Sequence, residues 1–360
     1  MKESKRNFET RKKDHIKWAL DESSQSKVDS DFSRIKLLHR PLPELQFSDV
    51  DIQTTILNYK NCSPFFISSM TAGHQKSVQI NSRFMAAAQK KRWMFGVGSQ
   101  KKELFDWTAV QEWKKLRSKY ADVFVLSNIG IEQVIATPIE KILELQKNLQ
   151  SNAFIVHLNS IQELFQNEFS EQFSLKNGYK SIEKLVQKSK VPVIVKEVGF
   201  GFDLETLKKL SQIGVQVVDL AGHGGTHWGY IEALRSQKPK GGSHQLDKLK
   251  MISAFDQWGY SNAEMLKKIH DFKLTGSDGL KGTQMWASGG IRSGVDAAKC
   301  ICLGATAVGL AQPLMKACLK GESALLSAMT EFELELKVAM FAMGVVDLNT
   351  LVMEKNWYEN

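Results

Sequence analysis

The densest chemistry in this 360-residue chain lies in a few short polar runs. Gly289-Gly290-Ile291-Arg292-Ser293-Gly294 leads into Val295-Asp296-Ala297-Ala298-Lys299, a helix-like start. Glycines let a backbone approach a ligand closely, and a helix start aims free N–H groups at an anion. The run is therefore read as a phosphate cradle, with a tight turn that needs glycine as the plainer alternative. Gly309-Leu310-Ala311-Gln312 would complete the cradle. Lys196 follows Val193-Ile194-Val195. An ammonium in that setting either faces a binding mouth, holding negative charge on a reduced cofactor ring, or pairs with Glu197 or another carboxylate. His157, Asn159, Gln162 and Glu163 form a third group. Glu163 offers oxygen to Mg²⁺, which prefers few protein ligands plus substrate phosphates. Gln162 suits a substrate hydrogen bond or an assisted proton transfer. Glu232 lies four residues beyond Trp228, on the same face if that stretch is helical. Arg11-Lys12-Lys13-Asp14-His15 is a solvated arm or a clamp for an anionic tail.

Eight short apolar runs must position these groups. They are Pro64–Gly73, Met94–Ser99, Val123–Gly130, Ala153–Asn159, Pro192–Gly199, Val215–Gly222, Gln284–Gly290 and Ala307–Pro313, with amphipathic helical stretches between. Several are almost continuously apolar, as strands buried on both faces are. Such alternation predicts βαβ units and a parallel sheet, and eight units predict a closed (β/α)8 TIM barrel. An open doubly wound sheet uses the same alternation. In the barrel the polar strand ends converge on one mouth. Residues 1–60 read as an N-terminal arm and cap, 61–320 as the barrel and 321–360 as a C-terminal helical tail, strongest over Ser323–Ala342. About sixty residues separate Gly222 from Gln284. They read as an insertion after strand six, with Lys238-Pro239-Lys240-Gly241-Gly242-Ser243 as a mobile loop, either a lid or ordinary surface.

Composition narrows the class. Hydrophobic residues at 42% and charged residues at 24% permit a large core. The formal charge is +9, but Lys and Arg are interleaved with acids throughout, so nucleic acid is not the expected partner. No membrane-length apolar run and no signal-peptide core are present, so a cytoplasmic protein without a membrane partner is expected. Cys62, Cys300, Cys302 and Cys318 match neither a zinc framework nor a redox pair. A homo-oligomer is expected.

In order and spacing the motifs resemble those of the type 2, FMN-dependent isopentenyl-diphosphate Δ-isomerase family, over roughly Arg11 to Pro313. The carriers are Arg11-Lys12-Lys13-Asp14-His15, Ser69-Met70-Thr71-Ala72-Gly73, Gly98-Ser99-Gln100, Asn128-Ile129-Gly130 and His157 to Glu163. Lys196-Glu197, Gly224-Gly225-Thr226-His227-Trp228 and Ser288 to Gly294 complete the set. The resemblance implies a TIM barrel that uses FMN, Mg²⁺ and NADPH to interconvert isopentenyl and dimethylallyl diphosphate without net redox change. It implies that Ser69, Met70, Thr71, Ser99, Asn128, Lys196 and Thr226 touch FMN, and that Gly290, Ile291, Arg292, Ala311 and Gln312 hold its phosphate end. Arg11, Lys12, His15, His157, Asn159 and Gln162 would face the diphosphate substrate, with Glu163 on Mg²⁺. Reduced flavin would serve as acid and base, NADPH only reducing it, with Gln162 and Glu232 assisting and Lys196 stabilising the reduced ring. Three places depart from the family pattern: His227 stands for serine, Gln166-Asn167-Glu168-Phe169-Ser170 for Gln-Pro-Glu-Gly-Asp, and Gln312 for arginine. Two other readings stay open: an FMN-dependent 2-hydroxy-acid oxidase or dehydrogenase with His223 as base, and a non-catalytic flavin-binding relative.

Overall fold

A computed structural model describes residues 5–70, 77–236, 247–276, 279–280, 282–352 and 357–359, with the backbone alone for 5–9 and for Glu359. Eight parallel strands close into a barrel: β1 (Phe65–Ile67), β2 (Met94–Gly96), β3 (Val125–Gly130), β4 (Ala153–His157), β5 (Val193–Lys196), β6 (Val217–Asp219), β7 (Gln284–Ser288) and β8 (Ala307–Leu310). Each falls inside one of the eight apolar runs. The last strand pairs with the first, Val308 opposite Phe65 and Leu310 opposite Ile67. That closure excludes the open doubly wound sheet.

Alternation along each strand divides the core in two. Phe66, Met94, Leu126, Ile155, Ile194, Val217 and Trp286 fill the barrel interior. Phe65, Ile67, Phe154, Val156, Val193, Val195 and Val218 face outward into the larger cluster beneath the helices. Fully burying each such side chain contributes roughly 1.5–3 kcal/mol, so both faces of the sheet are committed. By the same period of two, Lys196, Asp219 and Ser288 follow Ile194, Val217 and Trp286 on the inner face.

The helices that matter to the mouth are α1 (Lys5–Ala19), α2 (Ser160–Gln166), α3 (Trp228–Arg235), α4 (Gly294–Cys302), α5 (Gln312–Lys320) and α6 (Glu322–Ala342). Helix α1 lies within the segment read as an N-terminal arm and cap. It packs against α3, where tertiary contacts supply what its own pattern lacks. The long connection after β6 is largely helical, containing α3, Lys248–Ser253 and Asn262–Leu274. The Lys238 to Ser243 loop lies outside the described residues. Helix α6 packs on α4 and α5, and on Ser77–Lys91. A short strand at Trp357–Glu359 pairs with Ile35–Leu37, an element the sequence pattern did not suggest.

Candidate active site

One cavity occupies the mouth. It holds about 1610 Å³ with its open entrance included. Arg11, Lys12, His15, Ser69, Met70, Ser99, Asn128, His157, Asn159, Gln162, Glu163, Lys196, Thr226, Gly290, Ile291, Arg292, Ala311 and Gln312 all line it. Thr71 lies outside the described residues. Glu232 is the exception among the candidates: it does not line the cavity and is 1% exposed.

At one side stands the acid and amide cluster. Asn159 Nδ2 donates to Glu163 Oε1 at 2.9 Å. Gln166 Nε2 and Asn167 Nδ2 donate to Glu163 Oε2 at 3.0 and 3.2 Å. Three amides thus orient this carboxylate, which faces the cavity; burial raises its pKa. Among the described residues no group of three His, Cys, Asp or Glu could cage a metal. A single oriented carboxylate with spare lone pairs suits Mg²⁺, which takes most of its ligands from water and phosphate.

Helix α1 brings the basic arm over this side. Arg11 donates to Gln166 Oε1 at 2.9 Å. Lys12 is driven down to about 8 by burial and then by the Arg11 charge. His15 Nε2 meets Glu232 Oε1 at 2.9 Å, and Gln162 Nε2 donates to the same oxygen at 3.1 Å. Arg235 holds the other oxygen of Glu232. Burial alone would raise Glu232, but His15, Arg235 and Gln162 outweigh it and pull it to about 2. Burial drives His15 to about 4 against the pull of Glu232. At neutral pH we take the carboxylate as ionised and the imidazole as neutral. Glu232 therefore reaches the cavity only through Gln162 and His15.

Opposite lies the ring and phosphate side. Asn128 Nδ2 donates to Val97 O, and Asn128 Oδ1 pairs with His157 Nδ1 at 2.8 Å. Burial, then the charges of Lys12 and Lys196, depresses His157 to about 3 and keeps it neutral. Ser69 Oγ is buried with no hydrogen-bond partner among the described residues, and Ser69 lines the cavity. Lys196 pairs with Asp219, not with Glu197. The Glu197 carboxylate accepts instead from the N–H groups of Val198, Gly199 and Phe200.

The phosphate cradle needs correction. At the start of α4, Asp296 takes the N–H groups of Arg292 and Ser293, Ser293 Oγ takes that of Asp296, and Glu335 takes that of Gly294. These donors, expected to be free, are satisfied by the chain's own side chains. Gly289 and Gly290 have φ of 84° and 73°, and a Cβ on Gly290 would come within 2.9 Å of Ser30 Cβ. The turn thus needs glycine for its own geometry. What remains facing the cavity is the turn itself, Arg292, Ala311 and Gln312.

The departures acquire roles. His227 Nδ1 accepts from Tyr230 N at 3.2 Å, so an imidazole caps α3 where the family has a hydroxyl. Gln312 Nε2 donates to Ala19 O at 3.3 Å and ties the arm to the strand-eight turn. The structure also adds Lys101, Gln133, Gln166 and Ser288 to the lining. Lys101 directly follows the Gly98-Ser99-Gln100 motif, so reading one residue further finds it. His223, the base in the 2-hydroxy-acid oxidase reading, is not among the residues that line the cavity.

The closed barrel and this mouth define a member of the FMN-dependent α/β-barrel class, and the FMN-dependent dehydrogenase family matches residues 127–357. Structures of two such proteins share the fold. Flavocytochrome b2 with benzoylformate is 18% identical with a TM-score of 0.67, covering 98% of this chain and 84% of its own. Mandelate oxidase with an FMN monooxide adduct is 15% identical with a TM-score of 0.61, covering 96% and 92%. At those identities the likeness concerns fold alone. Within that class the chain belongs to the isopentenyl-diphosphate delta-isomerase family, in its type 2 branch. The relative from Bdellovibrio bacteriovorus is 42% identical over 359 residues, 99% of either chain. The one from Legionella pneumophila strain Corby is 42% identical over 94% of each, and one from Rickettsia bellii 35% over 95% of each. Among the described residues no helix is long and apolar enough to cross a membrane.

Proposed function

We propose that the protein isomerises isopentenyl diphosphate to dimethylallyl diphosphate in isoprenoid biosynthesis, with FMN in the ring side of the cavity, Mg²⁺ at Glu163 and NADPH as the reductant. One observation carries the reading: a single cavity joins a cationic, carboxylate-bearing side at Arg11, Lys12 and Glu163 to a glycine-rimmed side with Lys196 and with a Ser69 hydroxyl that has no partner among the described residues. Reduced FMN, when bound, supplies the acid and base that add a proton to one carbon of the alkene and remove one from another.

The chain's own residues do the rest. Arg11, Lys12 and Lys101 hold the diphosphate by charge. Glu163 presents an oxygen to Mg²⁺, oriented by Asn159, Gln166 and Asn167. His157, kept neutral and tied to Asn128, offers its Nε2 to the substrate without adding charge. Gln162 faces the allylic end, its amide fixed by Glu232 behind it and by Asn159. Ser69, Met70, Ser99, Asn128 and Thr226 seat the ring; Gly290, Ile291, Arg292, Ala311 and Gln312 seat its phosphate. Helix α1 covers the mouth and keeps water from the reacting carbons. The test is an anaerobic assay of the NADPH-reduced protein with Mg²⁺ and isopentenyl diphosphate. Dimethylallyl diphosphate is expected; its absence with flavin properly bound refutes the proposal.

A further inference from the structure

Three buried side chains close a ring at the top inner layer of the barrel. Lys196 Nζ stands 2.8 Å from Asp219 Oδ2 and donates to Ser288 Oγ at 2.8 Å. Ser288 Oγ in turn donates to Asp219 Oδ1 at 2.7 Å. Lys196 and Asp219 are register partners on β5 and β6, and Ser288 comes from β7. Lys196 and Ser288 line the cavity; Asp219, 1% exposed, does not. The carboxylate therefore sits behind the ammonium, out of reach of a ligand.

We propose that Asp219 is a positioning residue that sets the charge the protein presents to the flavin ring, aiming the Lys196 ammonium through its ion pair and the two hydrogen bonds made by Ser288. The inference rests on the FMN reading of the cavity. A buried ammonium is stabilised by a counter-charge beside it. The other groups around it do not serve. His157, its register partner on β4, is neutral. Glu197 is raised to about 7 by burial and spends its carboxylate on three backbone N–H groups. Asp219 is left as the counter-charge. A ring that gains negative charge on reduction then feels the pair, not the bare lysine, so the acid moderates the pull that Lys196 exerts.

The midpoint potential of bound FMN, followed by dithionite titration from pH 6 to pH 9, reads this directly. Asp219→Asn keeps the shape and removes the charge. It is expected to retain FMN and to show a higher potential than the parent protein at pH 6. Asp219→Glu should track the parent, whose own profile carries any contribution from Glu197. Superimposable profiles for Asp219→Asn and the parent overturn the inference and leave the FMN reading standing. A parent protein that takes up no FMN removes both. If Asp219→Asn does not fold, the neutral pair Asp219→Asn/Lys196→Gln decides. Recovery of the fold supports charge compensation, and continued failure assigns Asp219 to backbone architecture and overturns the inference.

Discussion

Two side chains in the mouth carry consequences that can be read one residue at a time. Lys12 is lowered to about 8, so in the free protein its charge is present below that pH and lost above it. The kcat/KM for a diphosphate substrate should therefore fall as pH rises through about 8. Lys12→Arg, whose guanidinium stays charged, should flatten that limb. A pH profile of kcat/KM for both proteins checks this, and identical alkaline limbs would count against it. Among the described residues Glu163 is the only acid in the lining, which makes it the proposed negatively charged ligand of Mg²⁺. Glu163→Gln keeps the size and two of the amide contacts but loses the charge. Apparent Mg²⁺ affinity should weaken roughly 10- to 100-fold, corresponding to about 1.5–3 kcal/mol for a contact to a charged group. Activity measured against Mg²⁺ concentration reads it, with FMN absorbance unchanged.

Helix α1 is held by contacts that depend on pH. His15 is depressed to about 4 and Glu232 to about 2. Both lie below their ordinary values. The stability they lend is thus complete above about 6.5, declines as His15 charges between 6.5 and 4, and is lost as Glu232 protonates between 4.5 and 2. Amide hydrogen exchange across Lys5–Ala19 should lose protection between pH 7 and pH 4.5 while β4 and β5 keep theirs; uniform behaviour would contradict this. Glu232→Gln should loosen the arm at neutral pH by removing the charge that holds His15 and Arg235, leaving Arg235 only its longer ion pair with Asp14 at 3.8 Å. The strands were legible because burial on both faces leaves long apolar runs, as in Val193-Ile194-Val195, and because each run ends in polar groups that point to one mouth. Helix α1 was not legible, since its stability comes from His15 on Glu232, 217 residues away. Asp219 was hidden within an apolar run. The filling of the α4 start by Glu335 was equally invisible, because that acid arrives from a different helix.

At the level of the whole molecule, FMN is a ligand of the folded barrel and not of the unfolded chain. Saturation at a hundred times its dissociation constant should stabilise the fold by about 2.7 kcal/mol. Thermal unfolding with and without added FMN measures this, and a midpoint that does not move would argue that flavin does not bind. Apolar burial on both faces of eight strands supplies most of the remaining stability, while the mouth gives some up by burying Arg11, His15 and Lys196.

The pairing of β8 with β1 also governs when this protein can first function. Ile67 and Leu310 are neighbours in the sheet although about 240 residues separate them along the chain. A ribosome that has made seven strands has made a sheet with two bare edges and a mouth with one side missing. Such an intermediate cannot present Gln312 to the arm or complete the cradle, and its edges invite pairing with other nascent chains. His15 of α1 emerges early and must wait until well past the middle of synthesis before Glu232 exists. Cofactor uptake is expected to follow completion of the mouth, and the interval before β8 arrives is the period of greatest exposure to misassembly.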